Sequence, residues 1–169
     1  MGLKSEIEKL NMENLTLEEK ATNHETWKHI HRVQILLNRC AVLLLDRGNK
    51  HDQSKLYPPE VGPFTEFTPK LAASTYGSKE YDEIKIKMKP ALDHHYAKNS
   101  HHPEFYKNGI NDMSLLDMLE MLIDWKAAGE RHNNGNIRKS IELNANRFAI
   151  SPQLVKILEN TVAELFHGE

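Results

Sequence analysis

Apolar residues in this chain recur at spacings of three and four, with no strand-length alternation anywhere, and the runs open on capping residues and close near glycine or proline. That pattern commits the chain to an all-α fold. Thr16 and Glu19 have the spacing of a capping box, in which hydroxyl and carboxylate satisfy each other's unpaired backbone donors. The helix they open is expected to run to Arg47 and stop at Gly48, with His29, Val33, Leu36, Leu37, Cys40 and Leu44 on a buried stripe.

A polar loop from Asn49 to Lys55 follows, then a stretch with Pro58, Pro59, Pro63 and Pro69 that is expected to hold only short helical turns. Its position directly after the loop also suits a lid or specificity segment. Ser78 caps a second helix through Ile84, Met88, Ala91, Leu92 and His95, with Pro90 expected to kink it; Ser114 caps a third through Leu116, Leu119, Leu122 and Ile123. Two more are expected over 137–148 and 152–166, the last with Ser151 as N-cap and Pro152 in the first helical position. At 169 residues the chain is sized for one domain, read here as an N-terminal helical extension over 1–15 and a single helical domain over 16–169.

Composition narrows the function classes. Twenty-two basic residues against 24 acidic ones, a net charge of −2, leave no extended nucleic-acid surface and no polybasic stretch for a membrane. A lone cysteine, Cys40, in apolar company excludes a disulfide framework and a thiolate metal site. The longest apolar run, 41–45, is too short to span a bilayer, and the charged start (Lys4, Glu6, Glu8, Lys9) lacks a signal peptide's apolar core, so a cytoplasmic location is expected. An oligomer is compatible with all of this.

Histidine is the residue in excess, ten in all, several in pairs. His51-Asp52 is preceded by His29, followed by His94, His95, His101 and His102, and joined by Asp124 on a later helix. Neutral imidazoles and carboxylates are the donors that suit Fe, Mn, Zn, Co or Ni. The plain alternative for each residue is a satisfied core histidine or a surface ion pair, and it is the whole set that favours a metal site of one or two ions. His24, His31, His132 and His167 read as surface histidines. Met113, Met118 and Met121 read as packing, as do Trp27 and Trp125.

The order of His29, His51, Asp52 and Asp124, with "HxxxV" on the first helix and the lysine of "HDQSK" three residues after the aspartate, resembles the HD superfamily of metal-dependent phosphohydrolases, which are all-helical bundles. The strings "HDQSKL", "HHYAKNSHHPE" and "EMLIDWKA" are similar to a family of bacterial and phage proteins known only as a domain of unknown function, from about Thr22 onward. The resemblance implies an HD-like bundle with His29, His51, Asp52 and Asp124 around a first metal, and Asp52 bridging to a second held by His95 and His101 or His102. Extra histidines in two-metal relatives come from separate helices, whereas here they are six and seven residues apart. A helix continued past Asn99 puts His95 and His102 on one face; a turn at Pro103 aims His101 instead, and the alternatives stay open.

The implied activity is hydrolysis of a small phosphorylated molecule, a nucleotide by expectation, in which paired ions activate water and clamp the attacking and leaving oxygens. Lys55 is placed to neutralise a phosphate oxygen, the alternative being a solvated loop lysine. Glu104 and Glu120 are candidates to fix an imidazole tautomer or accept a proton. Tyr96, Asn99 and Tyr106 are candidates for substrate contact. The same ligand set also suits a diiron oxygenase, and a closed shell of protein ligands suits a non-catalytic metal- or ligand-binding module.

Overall fold

A computed structural model describes residues 15–74, 78–131 and 135–166. Among them the chain forms six α-helices, α1 (Leu17–Lys50), α2 (Val61–Ala73), α3 (Lys79–Lys98), α4 (Leu115–Gly129), α5 (Ile137–Arg147) and α6 (Pro152–Leu165), and no strand. No helix among the described residues is long and apolar enough to cross a membrane. The expected extension over 1–15 lies outside the described residues except for Leu15, as do His132 and His167. The chain divides into two compact units, 1–46 and 47–169.

In the first unit the described structure is α1 as far as Asp46. Its capping box forms as expected: the Thr16 N–H donates to Glu19 Oε2 at 2.7 Å and the Glu19 N–H to Thr16 Oγ1 at 3.2 Å. Two expectations fail here. The stripe is not buried, since no residue of α1 is: His29, Val33, Leu36, Leu37 and Cys40 are exposed and Leu44 is half-buried. Among the described residues of its unit no second element stands beside the helix to cover a stripe, and Ile35, Val42 and Leu45 spread its apolar residues beyond one face. Trp27, read as a core aromatic, is exposed and stacks on His31, with ring centroids 5.3 Å apart.

In the second unit α1 continues through Gly48 to Lys50, so glycine does not end it. Asp52 makes the left-handed turn instead, with φ of 55°. The proline-rich stretch, expected to hold only short turns, forms the thirteen-residue α2. Pro63 sits in its first turn, where a backbone N–H has no intrahelical partner to lose.

α2 packs on α3, α4 on α5, and α5 on α6. Ile84, Met88, Ala91 and His95 make one buried stripe along α3, which runs on through Pro90. The apolar core joins Leu122 of α4, Ile141 of α5, Ile150 and, from α6, Leu158 and Val162, with Trp125 partly buried against it. Burying each such side chain stabilises the fold by about 1.5–3 kcal/mol. Met113 and Met121 are buried, as packing requires, and Met118 is half-buried. α4 opens on a second capping box, Ser114 with Asp117, which sets the register of its acidic face.

Candidate metal centre

Five pieces of chain converge at one place in the second unit. They are the last turn of α1 (Arg47), the connection to α2 (His51, Asp52, Ser54, Lys55, Glu60), the end of α3 (His94, His95, Asn99), the loop after it (Ser100, His101, His102) and the face of α4 carrying Asp117, Glu120 and Asp124. The spacings of three and four on α4 stack those three carboxylates on one side.

Two groups of donors result. Asp52, His95, His101 and His102 offer atoms within 4.8 Å of one another, as do His51, His101 and Asp124. His95 Nε2 lies 2.9 Å from His102 Nε2 and 3.3 Å from Asp52 Oδ1, and His101 Nε2 lies 3.5 Å from that same oxygen. On the other side His51 Nε2 stands 3.5 Å from both Asp52 Oδ2 and Asp124 Oδ1. Tetrahedral bonds of about 2.0–2.1 Å separate ligand atoms by roughly 3.3 Å, which is the spacing of these atoms. His101 belongs to both groups, and Asp52 turns one oxygen to each.

Two buried atoms in the cluster have no hydrogen-bond partner, Asp52 Oδ1 and His101 Nε2. Stranding such a pair costs about 1–3 kcal/mol per atom unless something fills the space between them. A divalent cation satisfies both, so the residues fit a metal.

The Nδ1 atoms of the histidines point away from the cluster toward carboxylates. Glu120 Oε1 is 2.9 Å from His51 Nδ1 and 3.1 Å from His101 Nδ1. The fully buried Glu60 takes His94 Nδ1 at 2.7 Å on one oxygen, and His95 Nδ1 at 2.9 Å with the Ser54 hydroxyl at 3.0 Å on the other. An ionised carboxylate only accepts, so each of these Nδ1 atoms carries a proton, and in the neutral imidazoles of His51, His95 and His101 the lone pair is left on Nε2, which lies at the cluster. The Asn99 amide is taken up in the same support, donating to Ser54 Oγ at 2.9 Å and to the His95 carbonyl at 2.8 Å.

A third carboxylate holds the loop. Asp117 is buried and accepts from Arg47, from Ser100 Oγ at 2.8 Å, from the Tyr106 hydroxyl at 2.8 Å and from Ser114 Oγ at 2.6 Å. The guanidinium of Arg47 also donates through Nε to Glu120 Oε2 at 2.8 Å, spanning two carboxylates one turn apart. Tyr106, read as a substrate contact, is thus engaged in holding the histidine loop.

These contacts set the charges. Hydrogen bonds to Asp124 and Glu120 hold the His51 imidazolium up to about 10. Burial opposes ionisation of Asp52, but the imidazoles of His101 and His95, 3.5 and 3.3 Å from Oδ1, and the Lys55 ammonium, 2.5 Å from Oδ2, hold its carboxyl well below the usual range. Glu120, despite burial, is drawn down to about 2 by His101 and His51, which makes it an orienting anion rather than a proton acceptor near neutrality. Burial and the neighbouring His101 and His95 push His102 down to about 3, leaving it a neutral donor.

Of the residues expected from the sequence, His51, Asp52, His95, His101, His102 and Asp124 come together, with Lys55 and Glu120 against them. Tyr96 sets its ring 5.0 Å from that of His102. Glu104 instead pairs with Arg147 at 2.6 Å, and His29, exposed on α1 in the first unit, belongs to neither donor group. Sequence reading missed Glu60, Arg47, Ser54 and Asp117. Glu60 follows two prolines with no periodicity around it, and its partners lie 34 and 35 residues ahead, so no local signal marks it.

No curated protein and no solved structure matches the chain. A family profile does, over residues 18–164. By that match the chain belongs to the family of unknown function DUF5662.

Proposed function

We propose that this chain is a metal-dependent phosphohydrolase with an HD-type helical arrangement, acting on a small phosphorylated molecule of the nucleotide class. The carrying observation is the pair of donor groups that share His101, are bridged by Asp52, and leave two buried donor atoms facing each other without a partner.

His95, His101, His102 and one oxygen of Asp52 would hold one divalent ion in this reading, and His51, Asp124 and the other oxygen of Asp52 a second, with the single Nε2 lone pair of His101 available to one ion at a time. Bound there, such ions lower the pKa of water and stabilise the attacking and leaving oxygens of a phosphoryl displacement. The chain's own residues do the rest. Glu60 and Glu120 keep the imidazoles in the tautomer that binds. The ammonium of Lys55, beside Asp52 and over the Phe64 ring at 5.0 Å, neutralises charge on a phosphate oxygen. The ring of Tyr96, 5.0 Å from that of His102, forms part of the wall beside the cluster.

The test is elemental analysis of protein purified without a histidine tag, followed by a phosphatase screen with an oxygen-uptake control. Close to two equivalents of a transition metal per chain, with phosphate release by wild type and none by Asp52→Asn, is the expected result. Oxygen consumption without phosphate release replaces the hydrolase with an oxygenase. No metal above background after reconstitution overturns both.

A further inference from the structure

The two donor groups are supported unequally. His95 belongs to one group alone, and its Nδ1 rests on Glu60, a carboxylate with no exposure to solvent that is held in turn by Ser54 and His94. His51 belongs to the other group alone and rests on Glu120. The shared His101 rests on Glu120 as well. Glu60 therefore touches one group, while Glu120 reaches both.

The supports also differ in how they are fixed. Glu120 is tied by Arg47 to Asp117 and through it to the loop and the start of α4. Glu60 is tied to the α1–α2 connection by Ser54, and to α3 by two successive histidines. Loss of either carboxylate frees an imidazole to rotate or to move its proton to Nε2, which removes a ligand. Asn99 sharpens this for His95. Its amide nitrogen lies 3.0 Å from His95 Nδ1, ready to donate to that atom once Glu60 no longer accepts its proton.

We propose that the two metal positions are separable, with Glu60 a positioning residue for the His95 position only and Glu120 a positioning residue for both. The proposal rests on the dinuclear reading of the preceding section, and the experiment distinguishes the failure of one from the failure of the other. Metal-free, untagged protein is titrated with Co²⁺, following heat and visible absorption, for wild type, Glu60→Gln, Glu60→Asp and Glu120→Gln. Far-UV circular dichroism checks the fold of each metal-free variant.

Wild type is expected to take up two equivalents. Glu60→Gln keeps one binding event at wild-type strength and weakens the other about 10–100-fold, the usual cost of losing an outer carboxylate. Glu60→Asp recovers part of that loss, and Glu120→Gln weakens both events. Wild type that binds no cobalt sinks the dinuclear reading itself. Wild type that binds two, with Glu60→Gln unchanged or weakened equally at both positions, overturns the separability alone. Should Glu60→Gln fail to fold, His95→Ala provides the same readout: one retained event supports the proposal, and loss or retention of both overturns it.

Discussion

α1 as far as Asp46 and the short connection from Arg47 to Glu60 are opposites in what they display and what they hold. The helix carries the strongest signals in the chain, a capping box and a run of apolar residues at helical spacing, yet buries no residue. The connection has no periodicity and two prolines, yet contributes Asp52 and the fully buried Glu60 to the densest polar network in the described residues. Periodicity reports which element forms, because helix hydrogen bonds and caps are local. Burial depends on what the rest of the chain brings alongside, and spacing does not encode that.

The sharpest way to break this comparison is to remove one histidine from each region. His101→Ala is expected to cost more metal uptake than the loss of any other histidine, since its Nε2 is within reach of both donor groups, while His29→Ala keeps wild-type metal content by elemental analysis. A large loss in His29→Ala would return that residue to the ligand set. Next in size is Asp117→Ala, which leaves the guanidinium of Arg47 without its buried partner and frees the loop carrying His101 and His102. A loss of about 3–5 kcal/mol in urea denaturation is expected, with metal affinity falling alongside.

A third contrast sets Leu122, fully buried on α4, against Leu37, exposed on α1. Leu122→Ala should cost about 2–5 kcal/mol and Leu37→Ala less than about 0.5 kcal/mol in the same assay. Equal costs would mean that α1 is covered in solution.

The smallest effect is on pH dependence in the metal-free chain. His51 is raised from 6.5 to about 10, so its contribution is complete below pH 6.5 and fades as pH climbs through 10. Glu120 is lowered from 4.5 to about 2, so its contribution is complete above pH 4.5 and fades as pH falls toward 2. Thermal unfolding should therefore show its highest midpoint between those windows. His51→Gln should flatten the alkaline arm and, because His51 helps to draw Glu120 down, weaken the acid arm as well; an unchanged alkaline arm would assign it to another group.

Much of the fold was legible because its determinants lie within one turn of each other. Thr16 with Glu19, Ser114, and Ser151 before Pro152 announce helix starts that the structure reproduces. Errors came where one residue type was read without its neighbours. Gly48 was expected to stop α1, but glycine only weakens a helix, and the left-handed turn went to Asp52. The prolines from 58 to 69 were expected to leave only short turns, but Pro63 falls in a first turn that tolerates it and the helix runs on through Pro69.

The site was legible in its donors, because an excess of histidine is visible in composition, and illegible in its supports. Glu60 and Arg47 are ordinary surface residue types, recognisable only once the chain has brought His94, His95 and Asp117 to them. The choice between His101 and His102 stayed open for the same reason. The helix ends at Lys98, and the loop beyond, pinned by Asp117, presents both.

Asp52 carries two obligations in one residue. Its backbone occupies the left-handed region at φ of 55°, which aspartate, asparagine and glycine enter most cheaply, while its carboxylate faces both donor groups. A library of all residues at this position should therefore sort twice. Selection for a folded chain retains Asn and Gly beside Asp and discards Val and Ile; selection for a metal-loaded chain retains Asp alone. If the proposed metal were lost from a lineage, a small polar residue or glycine should remain here, a fossil of the turn.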